Sequence, residues 1–280
     1  VDGIRSIAAQ DEPLGKLESQ MELANGLLLD KVAVPIGVLM IIFESRPDCL
    51  PQIAALAIRS GNGVILKGGK EASKSNTVIH SILTKAIVQA SSGKVKESAL
   101  GLITGRAEIP ALLKLDHVID LVIPRGSNSL VKFIKANTNI PVMGHADGIC
   151  HMFIDESADV DMAVRLAVDA KKDYPSACNA LETLLIHKNI VETGFADRLL
   201  RECRSAGITL RAGPKAHAAG LVGILAEELK TEYGNLTMAV EIVSDLQDAV
   251  NHIHEYGSGH TETIVTSSDA NAQTFLGSVD

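Results

Sequence analysis

Cys178 is the residue whose type and setting point most directly to chemistry. It lies in the stretch YPSACNALETLLIH (174–187), among small residues, after an apolar-periodic segment and before a β-branched run. A cysteine thiolate is a nucleophile where nearby N–H groups or cations stabilise it. A free cysteine is more often buried and inert, and that interpretation suits Cys49, Cys150 and Cys203 better, since the last two lie within strand or helix patterns. We predict that Cys178 lies in a loop and acts as a nucleophile.

A glycine pair between a strand and a helix suggests a binding site for a phosphate group. In ILKGGKEASKSN (65–76) the predicted strand ends at Lys67 and the helix begins near Ser73. Glycines let the backbone approach a ligand closely, the helix start offers N–H groups to an anion, and Lys67 and Lys70 add positive charge. The spacing matches neither the P-loop nor GxGxxG, so an ordinary turn with solvated lysines is an equally good interpretation.

The stretch IPRGSNSLV (123–131) repeats this arrangement, with Gly126 after a strand and Ser127 as the expected N-cap of a helix. Taken alone, it fits an ordinary capped helix. Two such turns at the carboxyl ends of parallel strands indicate dinucleotide binding, because doubly wound sheets bind dinucleotides at that edge.

Polar side chains also follow the apolar run VLMIIF. The stretch FESRPDCLP (43–51) places Glu44, Ser45 and Arg46 at the carboxyl end of that predicted strand. Charged groups at this edge often contact a ligand, and we favour that interpretation over a surface ion pair.

A second polar group lies late in the chain. In YGSGHTETIVT (256–266), two glycines precede His260 and Glu262 near the entrance of a predicted strand. Contact with a substrate and capping of a surface helix both remain open for His260.

The elements that must position these residues alternate between short β-branched runs and longer helical patterns, which is typical of parallel sheets covered by helices. We predict an α/β fold with a Rossmann-like doubly wound parallel sheet and a second α/β domain. The predicted strands are 38–43, 63–68, 100–104, 120–124, 140–144, 149–155, 183–187, 208–213, 238–243 and 261–266. The predicted helices are 50–59, 73–89, 109–115, 127–137, 159–172, 191–206, 245–254 and a last one ending near residue 276. We place the boundary in MGHADGI (143–149), giving domains 1–148 and 149–280.

Composition excludes several classes of protein. The net charge of −8 argues against a nucleic-acid partner, which needs a basic surface, but not against a small anionic substrate. No apolar run approaches the roughly 18 residues of a membrane span, and we expect neither a span nor a targeting peptide. The four cysteines include no CxxC pair, which indicates a reducing compartment and argues against a zinc site.

Taken in order, these motifs resemble the aldehyde dehydrogenase superfamily, and within it the γ-glutamyl phosphate reductases, also called glutamate-5-semialdehyde dehydrogenases. The resemblance covers nearly the whole chain and rests on FESRPD (43–48), SGNGVILKGGKEA (60–72), IDLVIPRGS (119–127), YPSACNALETLLIH (174–187) and YGSGHTETIVT (256–266). Residues 34–63 and 143–151 look most like the reductase half of bifunctional Δ1-pyrroline-5-carboxylate synthases. That resemblance implies a linked glutamate kinase domain in the full-length protein, a homo-oligomer, and a cytoplasmic, mitochondrial or plastid location.

The resemblance implies an enzyme of proline biosynthesis that reduces L-glutamyl 5-phosphate to L-glutamate 5-semialdehyde with NADPH. Cys178 would attack the acyl carbon and form a thioester as phosphate leaves, and its own backbone N–H would stabilise the oxyanion. Asn179 joins Cys178 in the implied catalytic group. The resemblance implies that NADPH binds to Lys67, Gly69, Lys70, Glu71, Gly126 and Ser127 of the first domain and to Glu232 of the second. Position in the chain suggests four substrate-binding residues, Glu44, Arg46, His260 and Glu262.

The sequence departs from its aldehyde-oxidising relatives at two places. GHADG (144–148) lacks the glutamate with which those enzymes activate water, which agrees with reduction of an acyl phosphate. Ser45 stands where they have an oxyanion-stabilising Asn, which assigns Ser45 to the catalytic group. The family also extends beyond Val1 and Asp280, so we expect this chain to be a fragment.

Three alternatives remain. The first is an NAD(P)-dependent dehydrogenase that oxidises an aldehyde, against which the missing glutamate argues. The second is a hydrolase that pairs Cys178 with His145 or His260, which leaves the two phosphate-binding turns unexplained. The third is a catalytically silent structural domain of a multifunctional enzyme, against which the retained cysteine motif argues.

Overall fold

The structure is a computed structural model that describes residues 2–43, 47–105, 107–145 and 147–280. The chain folds as two compact units, residues 1–146 and 147–280, and each is described by itself. The resemblance assigns NADPH binding to domain 1–148 and catalysis through Cys178 to domain 149–280, and both assignments stay predictions. Among the described helices, none has both the length and the apolar character needed to cross a bilayer.

The first unit begins with helix α1 (Asp2–Ala8) and a hairpin of β1 (Leu17–Ala24) and β2 (Leu27–Val32). The strands are antiparallel, and the two-residue loop Asn25–Gly26 joins them. Gly26 has a φ of +77°, which an Asn-Gly hairpin turn requires and glycine adopts without strain. Every residue of both strands is exposed, so the hairpin contributes little to the core of this unit.

The core of the first unit is a four-stranded parallel sheet in the order β5-β4-β3-β6. Its strands are β3 (Val38–Phe43), β4 (Gly63–Lys67), β5 (Leu100–Ile103) and β6 (Leu121–Arg125). Its helices are α2 (Cys49–Arg59), α3 (Ser73–Ala90), α4 (Ile109–Leu112) and α5 (Asn128–Ala136), with short 3₁₀ turns at Lys70–Ala72 and Glu97–Ala99.

Helices cover both faces of this sheet. Leu39, Ile41 and Phe43 of β3 pack with α2 and α3, whereas Met40 and Ile42 pack with residues of α4 and α5. A strand buried on both faces is a continuous apolar run rather than an alternating one, which explains VLMIIF. The doubly wound sheet predicted for this half is confirmed.

The second unit contains a five-stranded parallel sheet in the order β11-β7-β8-β10-β9. Its strands are β7 (Cys150–Ile154), β8 (Leu181–His187), β9 (Thr209–Ala212), β10 (Thr237–Val243) and β11 (Glu262–Val265). Its helices are α6 (Val160–Lys172), α7 (Lys188–Ile190), α8 (Ala196–Ser205), α9 (Pro214–Ala218), α10 (Leu246–Tyr256) and α11 (Asp269–Leu276). The central strand β8 is buried along its whole length, with Leu184 and Ile186 facing α6 and α8 and Leu185 facing α10.

Two predicted elements are wrong in detail. The predicted strand 140–144 forms only a single parallel bridge between Val142 and Val122, because Pro141 has no N–H to extend the ladder. The predicted helix 191–206 is interrupted by a wider turn, Val191–Phe195, in which Gly194 has a φ of +85°.

Candidate active site

The Cys178 loop lies at the amino-terminal edge of the second sheet. It connects α6 to β8, and two tight turns shape it: Ala177 N–H donates to the carbonyl of Tyr174 at 2.9 Å, and Ala180 N–H donates to that of Ala177 at 3.0 Å. Cys178 is exposed, and so is Asn179 beside it. The prediction that Cys178 lies in a loop is confirmed.

Gly148 and Cys150 both contact the backbone of Cys178. A Cβ atom at Gly148 would lie 2.2 Å from the carbonyl oxygen of Cys178 and 2.9 Å from its Cα, so only glycine fits there. The Cys150 thiol donates to that same carbonyl at 3.2 Å. Burial, with the nearby Glu262 carboxylate, raises the pKa of Cys150 to about 12, so this thiol stays protonated and acts as a hydrogen-bond donor.

The other three cysteines are less exposed than Cys178, as their positions in the sequence predict. Cys150 and Cys203 are buried, and burial raises the pKa of Cys203 to about 11. Cys49 is half-buried at the start of α2. Of the four, Cys178 is the one whose sulfur lies in an exposed residue.

The loop before β11 brings His260 close to the Cys150 end of this site. Its Nδ1 lies 3.9 Å from the Sγ of Cys150 and 2.8 Å from the Oγ1 of Thr261. Ser258 anchors the same loop, because its Oγ accepts the N–H of Ile149 at 2.9 Å. His260 therefore lies beside the segment that supports Cys178.

Glu262 points away from solvent. Its side chain is 1% exposed, its carboxylate accepts the backbone N–H of His151 at 2.9 Å, and it lies 3.2 Å from the Nδ1 of that residue. This placement ties β11 to β7 and gives no support to the predicted contact between Glu262 and substrate.

A buried histidine lies next to this pair. The ring of His252, on α10, packs edge-on against that of His151 with centroids 5.5 Å apart, and against Tyr256 at 4.7 Å. Burial, helped by His151, lowers the pKa of His252 to about 4. His252 is therefore neutral in the folded protein at neutral pH.

This histidine predicts a loss of stability in acid. Between pH 6.5 and pH 4 the unfolded chain binds a proton at His252 while the folded chain does not, so the free energy of unfolding falls as the pH falls. The loss from this residue is at most about 3 kcal/mol and is complete below pH 4. Urea unfolding at a series of pH values should show that His252→Gln flattens this part of the profile. An unchanged pH profile in that variant would contradict the assignment.

In the first unit, the glycine pair forms a tight turn after β4. Lys67 is 6% exposed, and its Nζ donates to the carbonyl of Gly68. A Cβ atom at Gly69 would collide with the carboxylate of Glu71. That carboxylate therefore lies directly over the turn. Lys70 and Glu71 are exposed.

A small pocket, open to solvent, lies beside this turn. It is lined by Gly68, Gly69, Ser73, Asn76, Leu102, Ile103 and Thr104. Asn76 is 2% exposed, yet its Oδ1 has no hydrogen-bond partner among the described residues. A Cβ atom at Gly68 would lie 2.1 Å from the Nδ2 of Asn76, so the glycine leaves room for that amide.

The second glycine turn lies at the same edge of the sheet. Gly126 follows β6, and Ser127 is the N-cap residue of α5 in an extended conformation, with its Oγ 3.1 Å from that of Ser129. The strands β4 and β6 flank β3, so the two turns lie about 10 Å apart. The structure thus brings the predicted residues of both turns to one edge.

Glu232 lies in the second unit, exposed, on the segment that enters β10. The predicted Glu44, Ser45 and Arg46 lie outside the described residues.

Sequence reasoning missed Gly148, Asn76 and the buried ion pair of Lys171 with Glu182, whose Nζ and Oε2 atoms lie 2.8 Å apart. No local pattern marks Gly148, because its constraint comes from a loop 30 residues further along. A buried Asn and a buried ion pair are likewise defined by contacts rather than by spacing.

Comparison with known proteins places these features in a family. Residues 14–232 match the aldehyde dehydrogenase family. The chain is 52% identical over 279 residues to the Delta-1-pyrroline-5-carboxylate synthase of Solanum lycopersicum, covering 100% of this chain and 38% of that protein. It is 50% identical over 281 residues to the gamma-glutamyl phosphate reductase of Synechococcus sp. strain WH7803, covering 100% of this chain and 64% of that protein.

A solved structure agrees. The crystal structure of the gamma-glutamyl phosphate reductase from Thermotoga maritima matches with a TM-score of 0.90 at 33% identity, covering 100% of this chain and 67% of that one. The chain spans well under two thirds of the plant synthase and 64% of the cyanobacterial reductase. This chain belongs to the aldehyde dehydrogenase family.

Proposed function

We propose that this chain reduces L-glutamyl 5-phosphate to L-glutamate 5-semialdehyde, with NADPH as reductant and release of phosphate. The observation that carries the proposal is the exposed Cys178, whose backbone is fixed by Gly148 and Cys150. The similarity to gamma-glutamyl phosphate reductases over the whole chain supports the choice of substrate.

In the proposed reaction, the Cys178 sulfur attacks the acyl carbon of the substrate. The bond from that carbon to the phosphate oxygen breaks, phosphate leaves with the bonding electrons, and a thioester remains on Cys178. The backbone N–H of Cys178 is the proposed donor to the developing oxyanion. Release of the aldehyde returns the thiol. The proposed contacts of the substrate or the reacting group are Glu44, Ser45, Arg46, Asn179 and His260.

The residues of the first unit fit a nicotinamide dinucleotide. Family members use NAD(P), and NADPH, when bound, supplies the hydride that reduces the thioester. The glycine pair has no side chains beside Asn76, so a ligand can approach this residue. The buried oxygen of Asn76 needs a hydrogen-bond donor such as a ribose hydroxyl. The pocket is far too small to enclose a dinucleotide, so the cofactor would lie over it rather than inside it. The residues proposed to hold NADPH are Lys67, Gly69, Lys70, Glu71, Gly126, Ser127 and Glu232.

Lys70 gives a test of the preference for NADPH. Because Lys70 is exposed at the turn, we expect Lys70→Ala to remove a charge-assisted contact with the 2′-phosphate and weaken NADPH binding about tenfold. NADH binding should change little. Lys67→Ala should act in the same direction. Fluorescence titration with both cofactors measures this, with Lys85→Ala on the exposed face of α3 as the matched control. Equal losses for the two cofactors would reject the 2′-phosphate contact.

The reverse reaction separates the proposed function from its rival, an aldehyde-oxidising dehydrogenase. A reductase of acyl phosphates needs inorganic phosphate to resolve the thioester in the oxidative direction, whereas the rival uses water. With glutamate 5-semialdehyde and NADP⁺, the chain should form NADPH only when phosphate is added. Steady NADPH formation without phosphate would favour the rival, and no NADPH formation under either condition would remove the proposed activity from this chain.

We further propose that the full-length protein contains a kinase region that forms the acyl phosphate. This rests on the plant synthases, of which the chain covers 38%.

A further inference from the structure

Lys171 and Glu182 form an ion pair that is enclosed within the second unit. Their Nζ and Oε2 atoms lie 2.8 Å apart, and the side chains are 0% and 1% exposed. Lys171 is in the last turn of α6 and Glu182 is the second residue of β8. The loop 173–180, which carries Cys178, is therefore bracketed by the pair.

Glu182 also binds a second segment. Its carboxylate accepts the N–H of Tyr233 at 3.1 Å and that of Gly234 at 3.3 Å. Glu232 immediately precedes these residues, and its charge acts on Lys171. One carboxylate thus connects the nucleophile loop to the segment that carries Glu232.

Stability alone is a poor reason for this arrangement. Burial raises the pKa of Glu182 and lowers the pKa of Lys171, so the surroundings oppose both charges. Apolar residues of similar volume often replace a buried ion pair without loss of stability. What such residues cannot do is accept two backbone N–H groups from another segment.

We infer that Lys171 and Glu182 are positioning residues that fix the Cys178 loop relative to the Glu232 carboxylate. This inference rests on the proposed function, in which Cys178 carries the acyl group and Glu232 contacts the cofactor. Neither Lys171 nor Glu182 needs to touch the substrate.

The test compares a broken pair with a neutral one. Lys171→Met leaves Glu182 buried without its cation, so both Tm and activity should fall. The double variant Lys171→Met/Glu182→Gln removes both charges at similar volume, and its Tm should return toward that of the parent. Its kcat should stay several-fold below that of the parent, because a neutral amide is a weaker acceptor for the two N–H groups. Lys172→Met, an exposed neighbour on the same helix, is the matched control and should match the parent.

Two further readouts separate a local positioning effect from a general loss of stability. Amide hydrogen exchange at Tyr233 and Gly234 should be at least tenfold faster in the double variant, with exchange in β10 unchanged. Glu232→Gln should lower kcat several-fold in the parent and less than twofold in the double variant, since the pair acts through Glu232.

The outcomes separate this inference from the function on which it rests. If the parent is active and the double variant regains both Tm and kcat, or if Glu232→Gln has the same effect in both backgrounds, the positioning role is overturned while the proposed function stands. A parent that neither binds NADPH nor reduces the substrate overturns the proposed function and this inference with it.

Discussion

Cys178→Ser is expected to lower the rate of glutamyl phosphate reduction by roughly 10³-fold or more. A serine hydroxyl keeps the size of the side chain but is a far weaker nucleophile at neutral pH than a thiol. NADPH binding should stay within about threefold of the parent, because Cys178 is not among the residues proposed to hold the cofactor and the substitution preserves the size of the side chain. Coupled absorbance of NADPH gives the rate, and fluorescence titration gives the binding.

Cys49→Ser is the matched control for this experiment. It makes the same chemical change at a half-buried cysteine at the start of α2, and it should leave the rate near that of the parent. A Cys178→Ser variant with a rate within tenfold of the parent would remove the thiol from the mechanism, whatever its effect on binding.

Gly148→Ala should also lower the rate strongly, because the added methyl group has no room. It would lie 2.2 Å from the carbonyl oxygen of Cys178, which is backbone and has no rotamer with which to move away. The loop must shift by a large fraction of an ångström, and a displacement of that order at the reacting atom costs about 10²-fold in rate. Overpacking at this contact should also lower the free energy of unfolding by about 1–3 kcal/mol.

Gly223→Ala is the control for this prediction. No atom lies within 4 Å of a Cβ atom placed there, and Gly223 is exposed. Rates should be measured well below the Tm of each variant, so that unfolding does not contribute. A Gly148→Ala variant that is folded and keeps more than a third of the parent rate would show that the loop tolerates the shift.

Much of the fold was predictable because the core strands are distinct in composition. VLMIIF is a continuous apolar run, and the structure places β3 at Val38–Phe43, buried on both faces. The capped starts of α6 and α10 follow Asp159 and Asp245, whose carboxylates accept N–H groups of the first turn. These elements are set by local patterns, and the sequence contains those patterns.

The hairpin of β1 and β2 was missed for the opposite reason. Its strands mix charged and apolar residues and are exposed throughout, so they lack the burial pattern that marks core strands. The Asn25–Gly26 dipeptide is the usable signal, since this pair is the strongest short-range indication of a two-residue hairpin loop.

In the candidate site, too, features set by local sequence were predictable and features set by long-range contacts were not. The type and neighbours of Cys178 predict an exposed cysteine in a loop. The glycines at 68–69 and 126 predict two turns at one edge of the sheet. The inward orientation of Glu262 was not predictable, because it depends on pairing with His151 across two strands that are far apart in the chain. The supporting contacts of Gly148 with Cys178 are of the same long-range kind.

Formation of a thioester on Cys178 is tested by peptide mass spectrometry after incubation with L-glutamyl 5-phosphate in the absence of NADPH. We expect one glutamyl group attached to the peptide that contains Cys178, and loss of that group when NADPH is added. Reduction without any such adduct, or an adduct confined to Cys49, Cys150 or Cys203, would contradict it.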